Sequence, residues 1–251
     1  MAKPNLKHSA LFFHMGPGFH ARIEAQKFSA TYPHVRFLDQ PQDVTFAQLI
    51  DWACVEIKNL FQENNAPIKL LGHSFGGQLI AGALPRVHQY VSEVRLLNSA
   101  YDSFSCFVHL GKALGIDQAQ GFSQNAKNSI EDKMNLIFQV AQHPQFAEVY
   151  WKSSSAMSAY AQLSASHPTL DLQTFVKAFS SYLQEPPPKK TDHWGGAAKI
   201  YYSLDDVLVH DMNSVSPWKS VFSNVQFSEL PGLGHYAHFE SGEAAAKFFK
   251  D

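Results

Sequence analysis

The pentapeptide Gly72-His73-Ser74-Phe75-Gly76 constrains the fold of this chain more than any other segment. An apolar run over residues 68–71 precedes it, and a run of helix-compatible residues, 77–82, follows it. A serine between two glycines at such a junction favours a sharp turn that lifts the hydroxyl group clear of a sheet. The segment therefore predicts a strand, a tight turn and a helix, with Ser74 at the tip of the turn as a nucleophile.

Short β-rich runs alternate with helical patterns along both ends of the chain. This alternation predicts an α/β fold with a mostly parallel, doubly wound sheet and helices on both faces. The six predicted strands cover residues 10–14, 35–38, 68–72, 94–98, 199–203 and 225–230. Between the second and third strands, apolar residues recur at helical spacing from Phe46 to Phe61, and Thr45 and Gln48 are placed as a capping box.

Residues 102–190 depart from this alternation. They contain no β-rich run, and apolar residues such as Ile130, Met134 and Ile137 keep helical spacing. A second helical pattern from Leu172 to Leu183 is followed by three prolines at positions 186–188, which cannot continue a helix. We therefore predict a core domain formed by residues 1–101 and 191–251, interrupted by a helical cap over residues 102–190.

Composition limits the partners of the chain. Its 251 residues, 45% of them hydrophobic, can bury one large core. The net charge is −2 and the basic residues are scattered, so nucleic acid is not an expected partner. The first apolar stretch, residues 10–13, is too short for a signal sequence or a membrane span, and we expect a soluble, cytoplasmic protein. The oligomeric state is left open, with a homodimer among the assemblies allowed.

The two cysteines, Cys54 and Cys106, have no CxxC or Cys/His ligand spacing. We expect both to be reduced, buried thiols.

A serine nucleophile needs a neighbouring imidazole, and that imidazole needs an acid that fixes its tautomer. Asp205 follows the fifth predicted strand, and His235 lies in the loop after the sixth. The chain order Ser, Asp, His is that of a strand-elbow-helix hydrolase. We predict Ser74 as nucleophile, His235 as general base and Asp205 as the acid.

Three other aspartates compete for the acid role. Asp206 is adjacent to Asp205, so a shift of one residue in the turn would exchange their roles. Asp211 and Asp102 are further candidates, although Asp102 is better placed to cap a helix at the entrance to the insertion.

Several histidines lie near these positions. His235 and His238, with His210 and Asp211, offer a mixed nitrogen and oxygen ligand set, but a serine triad needs no metal, and we expect neither metal nor cofactor. We assign His238 to the turn before the last helix, predicted over residues 241–250. His14 and His73 are expected to shape their loops through hydrogen bonds.

Four segments together resemble the α/β-hydrolase superfamily, and the resemblance covers nearly the whole chain. They are His14-Met15-Gly16-Pro17-Gly18, the elbow continued to Gly77, Leu204-Asp205-Asp206-Val207, and Gly234-His235. The first is similar to the HGGPG or HGxPG loop of capped serine hydrolases of the proline iminopeptidase and esterase type. The resemblance implies an α/β-hydrolase fold and an oxyanion hole formed by the Gly16 and Phe75 N–H groups. Only nine residues precede the first strand, so the usual pair of leading antiparallel strands is expected to be missing.

Large apolar residues are frequent in the insertion, where they either form its core or face Ser74. We predict that Phe19 and His20 from the first loop, and Phe104 and Trp151 from the insertion, contact the substrate. Such a pocket favours a small-molecule substrate with an apolar or aromatic portion.

These residues predict hydrolysis of a carboxylic ester or related acyl bond through an acyl-enzyme. An aminopeptidase similar to proline iminopeptidase is one alternative, and it would need acids in the cap to hold the substrate ammonium group. The candidates for that role are Glu131, Asp132, Glu148, Asp171 and Glu185. Non-hydrolytic chemistry on the same triad, such as acyl transfer or C–C cleavage, is a second alternative, and a binding module without activity is a third.

Overall fold

A six-stranded sheet forms the centre of the molecule. The computed structural model describes residues 8–122, 128–167, 170–185, 194–209 and 211–250. The strands are β1 (Ala10–Phe13), β2 (Val35–Leu38), β3 (Ile68–His73), β4 (Val91–Leu97), β5 (Ala197–Tyr202) and β6 (Asn224–Glu229). Their order is β2-β1-β3-β4-β5-β6, and every described pairing is parallel. All six predicted strands and the parallel sheet are confirmed, and β4 begins three residues earlier than expected.

Helices cover both faces of the sheet. Those that connect or follow its strands are α1 (Arg22–Phe28), α2 (Phe46–Asn64), α3 (Gly76–Val87), α10 (Met212–Val215), α11 (Ala237–Glu240) and α12 (Gly242–Phe249), with 3₁₀ turns at His88–Tyr90 and Ser216–Ser220. Alternate residues of β1 pack on opposite sides. Leu11 and Phe13 join the core under α2 and α3, whereas Phe12 joins the core that includes Phe28 and Phe249. A parallel strand buried on both faces explains why β1 is apolar throughout.

Helix α2 begins at the predicted capping box. The Thr45 hydroxyl accepts a hydrogen bond from Gln48 N (3.3 Å), and the Gln48 side chain accepts one from Thr45 N (2.8 Å). These bonds satisfy two amides that the first turn of a helix leaves unpaired. The helix ends at Asn65, whose φ of 52° lies in the left-handed region that asparagine tolerates.

The segment between β4 and β5 contains helices and, in its described residues, no strand. The helices are α4 (Ser103–Ala113), α5 (Asp117–Gly121), α6 (Ile130–Gln142), α7 (Phe146–Val149), α8 (Ser154–Ser164) and α9 (Leu172–Tyr182). Asp102, Ser129, Ser153 and Asp171 cap four of them with side-chain oxygens. The three prolines at 186–188 lie outside the described residues, and the division into core and cap stays a prediction.

A small ion-pair cluster joins β4 to β5. Glu93 accepts bonds from Arg95 Nε (2.9 Å) and Lys199 Nζ (2.8 Å). Burial by itself would raise the pKa of Glu93, but the hydrogen bonds and charges of these two cations outweigh it and lower the pKa to about 2.

Cys54 and Cys106 are free and buried, as predicted. Among the described residues, no helix has the length and apolar character needed to cross a membrane.

Candidate active site

Ser74 stands at a sharp turn directly after β3, and α3 begins two residues later. Its φ is 54°, in the left-handed region that non-glycine residues rarely adopt. A hydrogen bond from Ser74 N to Leu97 O (3.0 Å) holds the turn against the neighbouring strand. A strained φ that the surrounding structure maintains is common at functional sites. The predicted strand-turn-helix around Ser74 is therefore present.

The two glycines of the pentapeptide lie too close to neighbouring atoms to carry a side chain. A Cβ on Gly76 would overlap the carbonyl oxygen of Phe13, and a Cβ on Gly72 would lie 2.9 Å from the Gly76 carbonyl carbon and 2.8 Å from Ile80 Cδ1. Backbone atoms cannot move aside as a flexible side chain does, so both positions exclude side chains.

Asp206, and not Asp205, is the acid that contacts His235. Asp206 Oδ2 lies 2.7 Å from His235 Nδ1, and both side chains are almost completely buried. The other oxygen of Asp206 accepts a bond from Leu208 N (2.9 Å). Asp205 is exposed and accepts a bond from Gly232 N (2.8 Å), so our prediction of Asp205 was wrong.

The turn after β5 explains this difference. Ser203 caps the turn: its carbonyl accepts from Asp206 N (3.1 Å), and its hydroxyl accepts from Asp205 N (3.2 Å). This geometry directs the second aspartate inward and the first outward. The other two acids considered from the sequence cap helices, Asp102 at α4 and Asp211 at α10.

Asn98 connects the end of β4 to the loop that carries His235. Its Nδ2 donates to Gly234 O (2.9 Å) and His235 O (3.1 Å), and its Oδ1 accepts from Ser203 N (2.9 Å). It has a positive φ of 44° and also lines the cavity beside Ser74. Sequence reasoning missed this residue, although an asparagine directly after a central strand was a signal for a special turn.

His14 and His73 both form the loop hydrogen bonds that we predicted. His14 Nδ1 lies 2.6 Å from Met15 O, and His73 Nε2 lies 3.0 Å from His235 O. A carbonyl oxygen only accepts, so each of these ring nitrogens carries the hydrogen. Burial lowers the pKa of His14 and holds the pKa of His73 well below its ordinary value.

A cavity of about 370 Å³ lies above Ser74 and is lined by both the sheet loops and the insertion. Ser74, His235, Gly16 and Phe75 all contribute to its wall. No aspartate, glutamate, lysine or arginine is among the described lining residues.

Of the four predicted substrate contacts, Phe19 and Trp151 line this cavity, and His20 and Phe104 do not. The ring of His20 packs beside His167 at a centroid distance of 5.6 Å. Phe104 packs against Phe122 at a centroid distance of 5.5 Å. Phe107, one turn later in α4, lines the cavity instead. The other aromatic lining residues outside the four predicted contacts are Phe138, Phe146, Tyr150, Tyr160, Phe175, Phe179 and Tyr236.

The predicted oxyanion donors, Gly16 and Phe75, lie on the same wall as Ser74. Gly16 has a φ of 51°, and Phe75 immediately precedes the first turn of α3. Within the described part of the chain, neither backbone N–H is hydrogen-bonded to another residue. Each amide therefore keeps a hydrogen that the described residues do not use.

Comparison with solved structures identifies the fold of this chain, whereas comparison with sequences finds no match. No family model matches the chain, and no curated protein matches its sequence. The chain is similar in structure to a proline iminopeptidase-related protein from Thermus thermophilus, with a TM-score of 0.69 and 18% identity over 98% of this chain and 89% of that one. It is also similar to a serine hydrolase from Cycloclasticus zankles, with a TM-score of 0.62 and 16% identity over 96% and 87% of the two chains.

A thermophilic esterase from Thermogutta terrifontis is a third similar structure, with a TM-score of 0.61 and 14% identity over 95% of this chain and 86% of that one. The chain thus has the α/β-hydrolase fold that its motifs predicted, with a parallel sheet between layers of helices.

Proposed function

We propose that the protein is a serine hydrolase that cleaves a carboxylic ester or related acyl bond of a small, uncharged, largely apolar substrate. One observation carries the proposal. His235 Nδ1 is hydrogen-bonded to the buried carboxylate of Asp206 (2.7 Å). His235 Nε2 is buried and has no partner among the described residues, and His235 and Ser74 line the same cavity.

This arrangement sets the direction of proton transfer. The carboxylate of Asp206 accepts the Nδ1 hydrogen of His235, so neutral His235 presents a lone pair at Nε2. Ser74 attacks the substrate carbonyl carbon while Nε2 takes the hydroxyl proton. The imidazolium then returns this proton to the leaving group, and water releases the acyl group by the same route.

The Gly16 and Phe75 N–H groups are proposed to stabilise the oxyanion. Negative charge develops on the carbonyl oxygen during attack, and losing one such donor typically costs about 3 kcal/mol of barrier. Gly16 and Phe75 line the same cavity as Ser74, and neither amide has a hydrogen-bond partner among the described residues, which supports this role.

The cavity supports a choice of substrate class. Its volume of about 370 Å³ suits a small molecule. Its wall is formed mainly by phenylalanine, tyrosine, tryptophan, leucine and alanine side chains. A charge placed there would lose its hydration without gaining an ionic partner from the described residues. The acyl part of the substrate is therefore proposed to be an alkyl chain or an aromatic ring.

The same wall argues against the aminopeptidase alternative. None of the five acids considered for an ammonium site lines the cavity. Four of them, Glu131, Asp132, Glu148 and Glu185, are exposed, and Asp171 caps α9. A positively charged amino group would find no carboxylate among the described lining residues.

The first test is the hydrolysis of p-nitrophenyl esters with acyl chains of increasing length. We expect turnover by the wild-type protein, loss of it to background in Ser74→Ala, and no change in Ser29→Ala, a matched exposed serine. A paired substrate whose acyl chain ends in a carboxylate should react at least about tenfold more slowly, since burying an unpaired charge costs more than about 1.4 kcal/mol. The proposal is refuted if turnover persists in Ser74→Ala. It is also refuted if the wild-type protein reacts neither with these esters nor with a fluorophosphonate probe.

A further inference from the structure

Three buried side chains from distant parts of the sequence meet behind the loop that carries His235. They are Glu24 from α1, His73 from the end of β3 and His238 from α11, and each is at most 2% exposed. One ligand atom from each residue lies within 4.8 Å of the ligand atoms of the other two. This cluster shares only His238 with the ligand set considered from the sequence, of which His210 lies outside the described residues.

Four polar atoms of this cluster lack partners among the described residues. Glu24 Oε2, His73 Nδ1 and both ring nitrogens of His238 form no hydrogen bond with any described residue. His238 Nε2 lies 3.9 Å from Glu24 Oε1, which is too far for a hydrogen bond. Buried polar atoms are almost always paired, so four unpaired atoms in one place point to an occupant that the protein chain does not supply.

Phenylalanine rings cover part of the cluster. The ring of His238 is packed among Phe28 (5.8 Å), Phe239 (4.8 Å) and Phe249 (5.9 Å), measured between ring centroids. These rings offer no donor or acceptor. The carboxylate of Glu24 likewise has no lysine or arginine within salt-bridge distance in the described part of the chain.

His73 is oriented as a metal ligand. Its Nε2–H donates to the carbonyl oxygen of His235 (3.0 Å), so the lone pair of the ring lies on Nδ1, which is buried and has no hydrogen-bond partner among the described residues. Histidines that bind metals usually donate their other ring N–H to a carbonyl or carboxylate in this way.

We propose that Glu24, His73 and His238 bind one divalent transition-metal ion of the zinc class, through a carboxylate oxygen and two imidazole nitrogens. Two histidines and one carboxylate are a ligand set that zinc accepts in proteins. Three atoms mutually within 4.8 Å all fit within about 2.8 Å (4.8/√3) of a common point. Zinc bonds of about 2.0–2.2 Å then require each side chain to move by less than about 1 Å.

The ion would act on the active site through position and not through chemistry. Its ligands connect α1, the strand that ends just before Ser74 and the helix that follows His235. A bound ion would therefore tie the nucleophile turn to the loop of the general base. It takes no part in the proton transfers described above.

The test is a metal titration of tag-free Ser74→Ala protein, first stripped with a chelator, so that the readout is independent of catalysis. We expect one Zn²⁺ or Co²⁺ per chain by elemental analysis, a visible Co²⁺ spectrum and a higher Tm on Zn²⁺ addition. Glu24→Gln and His238→Gln in this background should each weaken binding by at least about 100-fold. His143→Gln, which removes a histidine outside the cluster, should bind as tightly as the parent.

A stripped parent protein that binds no stoichiometric ion overturns the proposal, whatever the variants do. Binding that is equally tight in the Glu24→Gln/His238→Gln double variant overturns it as well, because the ion would then sit elsewhere. Circular dichroism of each variant separates lost binding from lost folding, and the parent titration decides the question if a variant does not fold.

Discussion

Replacing Asp206 by asparagine should nearly abolish catalysis while leaving the fold intact. The carboxylate uses both oxygens, one for His235 Nδ1 (2.7 Å) and one for Leu208 N (2.9 Å). The asparagine oxygen can keep only one of these bonds. If it keeps the backbone amide, its NH₂ group faces Nδ1 of His235, and the ring must move its hydrogen to Nε2 so that Nδ1 accepts.

This change of tautomer sets the expected magnitude. With its hydrogen on Nε2, His235 has no lone pair to take the proton of Ser74. The equivalent substitution in a serine protease lowers kcat about 10⁴-fold for the same reason. We expect a loss of similar size here, which corresponds to about 5 kcal/mol of transition-state stabilisation.

Asp205→Asn is the matched control. Asp205 is exposed, and an asparagine oxygen can still accept the bond from Gly232 N. Surface substitutions of this kind change free energies by less than about 0.5 kcal/mol, so kcat should stay within about twofold of the wild type.

The assay is steady-state hydrolysis of the best p-nitrophenyl ester, together with the rate of fluorophosphonate labelling and the Tm of each variant. A larger loss in Asp205→Asn than in Asp206→Asn would refute the assignment of the acid. If both variants kept the activity of the wild type, the triad itself would be refuted.

Three further predictions concern positions around the site. Gly76→Ala should lower the free energy of unfolding by about 1–3 kcal/mol in a denaturant titration, because the new Cβ overlaps a carbonyl oxygen of β1, whereas Gly121→Ala, with open space around it, should not destabilise. Asn98→Gly keeps the positive φ but loses the bonds to the His235 loop, and we expect kcat to fall by up to about 100-fold with ester KM little changed; an unchanged kcat would contradict this. The depressed pKa of Glu93 stabilises the fold above pH 4.5 and loses this effect as the pH falls toward 2, so acid unfolding of Glu93→Gln should show a shallower pH dependence than that of the wild type.

Local sequence patterns determined the elements of this fold. The capping box at Thr45 and Gln48 gave the start of α2, and the six β-rich runs gave the strands of the sheet. These signals are local, because capping and periodicity depend on residues only a few positions apart. The turn at Ser74 belongs with them, since Gly72 and Gly76 are required within the same five residues.

The choice between Asp205 and Asp206 was decided by tertiary structure. Adjacent residues in a turn point in different directions, and only the hydrogen bonds of the turn to Ser203 and the position of the His235 loop select the inward one. Sequence order is identical for both candidates and therefore carried no information on this choice.

Long-range packing decided the rest of the site. Whether an aromatic residue of the insertion lines the cavity depends on the tertiary neighbours of its helix. Phe107 lies in the wall, whereas Phe104, one turn earlier, packs against Phe122. The cluster of Glu24, His73 and His238 joins residues up to 214 positions apart, because parallel strands bring their distant connections to the same edge of the sheet. Local patterns thus determined the elements and the turn at Ser74, and only the folded chain determined which side chains meet.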